Sequence, residues 1–185
     1  INPSLTKEDK IFMKLSKKKG IDLVMFNLDD ELSDENIEEK AKSCSIIFNN
    51  TAGYLALELV KSFEELGKRV IDSSKIFYYT EDKWMFFLKC KEHKIPTPET
   101  ILLSTNIHSA KKELEKFSKW PVILKRINGE KGEFVQKADN MKEAIELIEE
   151  FWNRGIERLP IIAQEIIRSH TYRVTVLGGE IVQSA

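Results

Sequence analysis

The stretch WPVILKRINGEKGE, residues 120–133, sets a lysine inside an apolar run and follows it with a glycine-spaced loop. An extended chain alternates its side chains between two faces. Val122, Leu124 and Arg126 then point one way, and Ile123, Lys125 and Ile127 the other. An ammonium group sharing a face with two isoleucines is costly to bury unless something negative meets it. Three readings of Lys125 follow. It snorkels to water from an edge strand, it pairs with a nearby carboxylate, or it waits for an anionic ligand. The loop lacks the GxxxxGK[ST] spacing, and no GxGxxG follows a strand. Gly129 and Gly132 can still bring backbone N–H groups close to a phosphate, or they can simply turn a surface hairpin.

Outward from this stretch, helix and strand patterns divide the chain. Toward the C-terminus, a strand begins near Phe134, and NMKEAIELIEEFWNRG (140–155) reads as a helix capped by Asn140. Its buried side carries Ala144, Ile145, Ile148, Phe151 and Trp152. PIIAQEII, TYRVTVLGG and EIVQSA read as three strands, the last two forming a hairpin through Gly178-Gly179. Toward the N-terminus, residues 109–119 read as a helix closed by Trp120-Pro121, ETILL (99–103) as a strand, and residues 82–93 as a helix broken by Ile95-Pro96-Thr97-Pro98.

Further back, the Thr6/Asp9 start signal and Gly20 bound a helix. IDLVMFNL (21–28), SIIFNN (45–50) and RVID (69–72) read as strands. Between them lie an acidic segment, expected to be loop plus a solvated helix, and a helix over 51–67 with Leu55, Leu59 and Phe63 on one stripe. This alternation predicts a parallel α/β sheet, with a boundary to an α+β unit near residues 73–80.

Composition narrows the function classes. The 185 residues carry 29 basic and 30 acidic side chains, net −1, with no basic block long enough for a nucleic-acid surface. Lys17-Lys18-Lys19 beside Gly20 is a favourable charge at a helix C-terminus. Cys44 and Cys90 form no CxxC, which argues for a reducing compartment and against structural zinc; both read as structural thiols. With no apolar run of membrane length and no signal peptide, a cytoplasmic protein is expected. The chain opens on Ile1, not Met, and is expected to be processed, trimmed or partial.

The order DK (82–83), IPTPET, PVILK, the glycine loop and QEII (164–167) resembles the ATP-grasp superfamily, most closely its RimK/LysX-like carboxylate–amine ligases. The resemblance covers roughly residues 20–185 and implies a pre-ATP-grasp α/β domain over 1–75, a first ATP-grasp subdomain over 76–163, and a hinge with the start of a second, truncated subdomain over 164–185. It implies ATP and magnesium as cofactors. Lys83 and Lys125 match the two nucleotide-binding lysines, and the loop around Gly129 and Gly132 matches the flap over the phosphates. Gln164, Glu165, Ile166 and Ile167 match the hinge strand whose backbone meets adenine, with Glu165 reaching further toward the nucleotide. Arg173, as candidate catalytic residue, is assigned to phosphate or acyl-phosphate.

The implied reaction joins a carboxylate to an amine, an amino acid, through an acyl phosphate made from ATP. It needs positioned cations more than a protein nucleophile. Small-molecule or peptide carboxylates and an amino acid are the implied partners, with a homo-oligomer possible. The sequence departs from the resemblance at Glu133-Phe134, where relatives carry another glycine, and at Thr171, where relatives carry an aspartate. The implied magnesium ligands belong to strands later than Ala185, so no metal ligand is expected within the chain. A non-catalytic ATP- or ADP-binding regulatory module and a structural module without nucleotide are the alternatives. Asn49 and Asn50 are candidates for specificity or for a turn and helix cap, and His170 reads as a loop histidine beside the hinge.

Overall fold

The computed structural model describes residues 6–27, 32–49, 51, 53–129, 132–155 and 157–184. Contacts divide the chain into two units, Ile1–Tyr78 and Tyr79–Ala185.

In the first unit, α1 (Lys7–Lys19) begins with a reciprocal capping box between Thr6 and Asp9 and ends on Gly20 in the left-handed conformation, as the sequence predicts. Residues 21–27 form no strand and have no ladder partner among the described residues, which corrects the expectation for this run. The helix α2 (Asp34–Lys42) is not wholly solvated, because Ile37 and Ala41 are buried. Strand β1 (Ile47–Phe48) pairs in parallel with β2 (Val70–Ile71) across α3 (Tyr54–Glu65), the expected parallel connection in its shortest form. On α3 the buried stripe is Ala56, Leu57, Leu59, Val60 and Phe63, whereas Leu55 is exposed. Asn49 takes the turn role, its side-chain oxygen accepting the Thr51 amide at 3.2 Å; Asn50 lies outside the described residues. Helix α4 (Ser74–Glu81) is one the sequence reading did not foresee; none of its residues is buried, so no apolar stripe marks it.

The second unit is built on a four-stranded antiparallel sheet in the order β3 (Thr100–Leu103), β6 (Ile161–Glu165), β4 (Val122–Arg126), β5 (Val135–Ala138). Helix α5 (Lys83–Glu92) opens on Asp82, whose carboxylate accepts the amides of Trp84 and Met85. Helix α6 (Ile107–Lys116) begins two residues earlier and ends three residues earlier than the expected 109–119. The Asn106 side chain caps the His108 and Ser109 amides, and the backbone turns extended at Phe117. Helix α7 (Met141–Arg154) is capped by Asn140 as expected, with Ile145 half-buried rather than in the core.

One face of the sheet carries the core. Leu103, Val122, Leu124, Ala138, Ile161 and Ala163 cluster with Leu114 of α6 and with Ala144, Ile148 and Phe151 of α7. The period-two reading of β4 therefore holds: Val122 and Leu124 face the helices, and Ile123 and Lys125 lie on the other side. The strands β7 (Val174–Leu177) and β8 (Glu180–Ser184) form the expected hairpin, exposed along both strands.

Candidate functional site

Strand order decides the first question about Lys125. Because β4 lies between β6 and β5, it is not an edge strand, and the snorkelling reading falls. The carboxylate reading falls too, since among the described residues Lys125 makes no ion pair. Its ammonium donates instead to Oε1 of Gln164 at 2.6 Å. Gln164 stands opposite Ile123 and Lys125 opposite Ile162, so the two long side chains sit on the same face, diagonally across the ladder, within reach of one another. Gln164 in turn donates from Nε2 to the Thr100 hydroxyl at 2.8 Å, and Thr100 lies opposite it on β3.

Lys83 reaches the same unit from the first turn of α5. Its backbone amide donates to the Ile127 carbonyl at 3.0 Å, and its ammonium to the carbonyls of Ile127 and Gly129 at 3.4 and 3.0 Å. Asn128 completes the seam by donating to the Glu81 carbonyl at 3.3 Å. The root of the glycine loop is thus tied to residues 81–83.

Its far root is held by Phe134, which takes a left-handed φ of 54°, a conformation that costs a non-glycine residue about 1 kcal/mol. Phe134 can adopt this glycine-like conformation because its ring is buried edge-on to Phe151 at 5.5 Å and under the Arg126 guanidinium at 3.8 Å. Gly129 and Gly132 are exposed with φ of 134° and 80°; Glu130 and Lys131 between them lie outside the described residues.

Burial is the main force on both ammonium groups. It pulls Lys83 below the ordinary lysine value, with Asp82 opposing, Arg126 adding to the drop and Glu81 opposing. Lys125 is lowered by burial first and then by the Lys83 charge. Two partly desolvated cations thus feel each other, while their hydrogen-bond acceptors are neutral. That combination suits an anion. Ammonium groups only donate, so the pair meets oxygens of an anion rather than a cation; among the described residues no group of three or more His, Cys, Asp or Glu could hold a metal ion.

A pH consequence follows. A lysine whose folded pKa is depressed leaves the unfolded chain holding more protons between the two values. Stability therefore rises with pH across that window, up to the unfolded lysine value of about 10.4. In ligand-free protein, urea midpoints measured from about pH 8 to about 10.5 should climb less steeply in Lys125→Met than in the parent. Equal slopes would sink the assignment.

The remaining residues lie around this pair. Glu165 turns its carboxylate to the sheet end, where Oε1 accepts the Glu99 amide at 2.7 Å and Oε2 lies 3.8 Å from the Lys119 ammonium. Ile166 and Ile167 continue past the last ladder pair, with Ile167 exposed. Arg173 is exposed just before the hairpin and makes none of the bonds that join Lys83, Lys125 and Gln164. His170 is likewise exposed. Thr100 and Arg126 are contributors that reading the sequence missed, and Phe134 was marked only as a departure from the glycine of relatives. Only the conspicuous Phe134 in a glycine loop gave a signal.

Residues 80–185 match the RimK-like ATP-grasp domain. A probable alpha-L-glutamate ligase of Haemophilus influenzae (strain Rd) is 27% identical over 135 residues, 73% of this chain and 44% of that protein. The chain thus spans less than half the length of this curated relative. Among solved structures, a RimK domain ATP-grasp protein from Sphaerobacter thermophilus superposes with a TM-score of 0.72 at 15% identity, covering 100% of this chain and 70% of the other. The biotin carboxylase domain of 2-oxoglutarate carboxylase from Hydrogenobacter thermophilus, in complex with MgADP, ADP and bicarbonate, superposes with a TM-score of 0.65 at 19% identity, over 86% of this chain and 42% of the other. With the matched domain covering more than half of the chain and the fold shared along all of it, the protein belongs to the RimK-like ATP-grasp family.

Proposed function

We propose that this chain carries the nucleotide-binding part of an ATP-dependent carboxylate–amine ligase. The observation that supports it most is the pair of partly buried lysines, Lys83 and Lys125, which feel each other's charge and have only neutral hydrogen-bond acceptors among the described residues. In this reading Lys125 and Lys83 neutralise phosphate oxygens, and the amides around Gly129 and Gly132 approach the same phosphates. The backbone of Gln164 to Ile167, running past the paired end of β6, meets the adenine edge, and Arg173 adds a positive charge toward phosphate or acyl-phosphate.

ATP supplies the driving chemistry when bound: its terminal phosphoryl group moves to a carboxylate oxygen and ADP leaves. An amine nitrogen then attacks the acyl carbon, phosphate departs with that oxygen, and the nitrogen loses a proton. The residues of this chain hold charge and geometry and take no covalent part. Magnesium accompanies the nucleotide in the proposal, in keeping with the MgADP-bound relative. The name of the Haemophilus relative makes glutamate the first amino acid to try as the amine. A cytoplasmic location belongs to the same proposal; no helix among the described residues is long and apolar enough to cross a membrane.

Calorimetric titration tests the reading. ATP with magnesium should bind at least about 10-fold tighter than adenosine, a difference of ~1.4 kcal/mol from phosphate contacts. Equal affinities, or no binding of ATP, would overturn it. Phosphate release on adding glutamate and a carboxylate acceptor separates a ligase from a module that binds nucleotide without turnover.

A further inference from the structure

Among the described residues Thr100 is the one buried polar side chain, 6% exposed, at the start of β3. Its hydroxyl donates to the Pro98 carbonyl at 2.9 Å and accepts from Gln164 Nε2 at 2.8 Å, while Gln164 Oε1 accepts from Lys125 at 2.6 Å. The direction of this chain is forced. An ammonium group can only donate, so the amide must turn its oxygen to Lys125 and its NH₂ to Thr100. A hydroxyl has a single proton, and with its oxygen accepting from Gln164 that proton goes to Pro98. Lys125 spends one of its three N–H groups on Gln164 and makes no other hydrogen bond among the described residues, which leaves two for a ligand.

We infer that Thr100 is a positioning residue for phosphate binding. Without touching the nucleotide, it anchors the Gln164 amide in place, and that amide holds the Lys125 ammonium where two of its N–H groups face a phosphate. The inference rests on the proposed nucleotide reading. It adds Thr100 and the side chain of Gln164 to a site in which the hinge otherwise acts through its backbone. A valine at position 100 keeps the shape and removes the hydroxyl; the amide NH₂ then loses its acceptor, and the oxygen that meets Lys125 is no longer anchored to β3.

The test measures ATP and adenosine affinities by displacement of a fluorescent ATP analogue, in the parent, Thr100→Val, Thr100→Ser, Lys125→Ala and the Thr100→Val/Lys125→Ala double variant. Thr100→Val should weaken ATP about 5- to 10-fold, the scale of one hydrogen bond between neutral groups, and leave adenosine unchanged. Thr100→Ser should restore the ATP affinity, and the valine should add nothing further once Lys125 is gone. If the valine variant does not fold, Thr100→Ala replaces it with the same expectations. Unchanged ATP affinity in Thr100→Val overturns the inference while leaving the nucleotide reading intact. So does an equal loss for ATP and adenosine, or a loss that persists in the double variant, because either marks a merely structural threonine. Parent-like ATP affinity in Lys125→Ala overturns the nucleotide reading and the inference together.

Discussion

Replacing Lys125 with alanine is expected to lower the affinity for ATP with magnesium about 100-fold, ~2.7 kcal/mol, the scale of losing a charged partner from a partly desolvated site. The effect is large because the cost of dehydrating this ammonium is already met in the ligand-free fold, where burial lowers its pKa and Gln164 is its neutral acceptor. A phosphate arriving there recovers Coulomb energy at an effective dielectric well below that of water. Lys83 cannot take over the place of Lys125, since two of its three N–H groups go to the carbonyls of Ile127 and Gly129 and hold it at the loop root. Calorimetry on parent and variant checks this, with circular dichroism showing that both are folded. An affinity within about threefold of the parent, ~0.65 kcal/mol, would remove Lys125 from the site.

The second large effect is on stability. Phe151→Ala is expected to cost about 3–5 kcal/mol, a large part of the ~5–15 kcal/mol that holds a domain folded. Phe151 is 1% exposed in the cluster between α6, α7 and the sheet. Its ring supports Phe134, so the cavity would also loosen the far root of the glycine loop. All three tryptophans, Trp84, Trp120 and Trp152, lie in the second unit, so their fluorescence follows the unfolding of that unit alone. A urea midpoint unchanged from the parent would show that the core does not depend on this ring.

Most local features of the second unit were legible in the residues. Asp82 and Asn140 announced their helices, because a cap is a bond between a side chain and amides two or three positions away. The faces of β4 were legible for the same reason, since alternation is a property of neighbouring residues. Where the reading erred, the deciding information was distant. Residues 21–27 have the composition of a strand, yet a strand exists only with a partner. Helix α4 buries none of its residues, so no periodic stripe marked it.

The sequence by itself determined that Lys125 sits on an apolar strand on the face opposite Val122 and Leu124, that a glycine-spaced loop follows it, and that the motif order is that of the ATP-grasp family. Each depends on residues close in the chain or on their order. Only the tertiary structure decided that β4 is interior, that Gln164 rather than a carboxylate meets the lysine, and that Thr100 stands behind Gln164. These partners lie 39 and 64 residues apart in the chain. They meet through the register of the β3–β6–β4 ladder, and a register is a choice among pairings that no single segment contains.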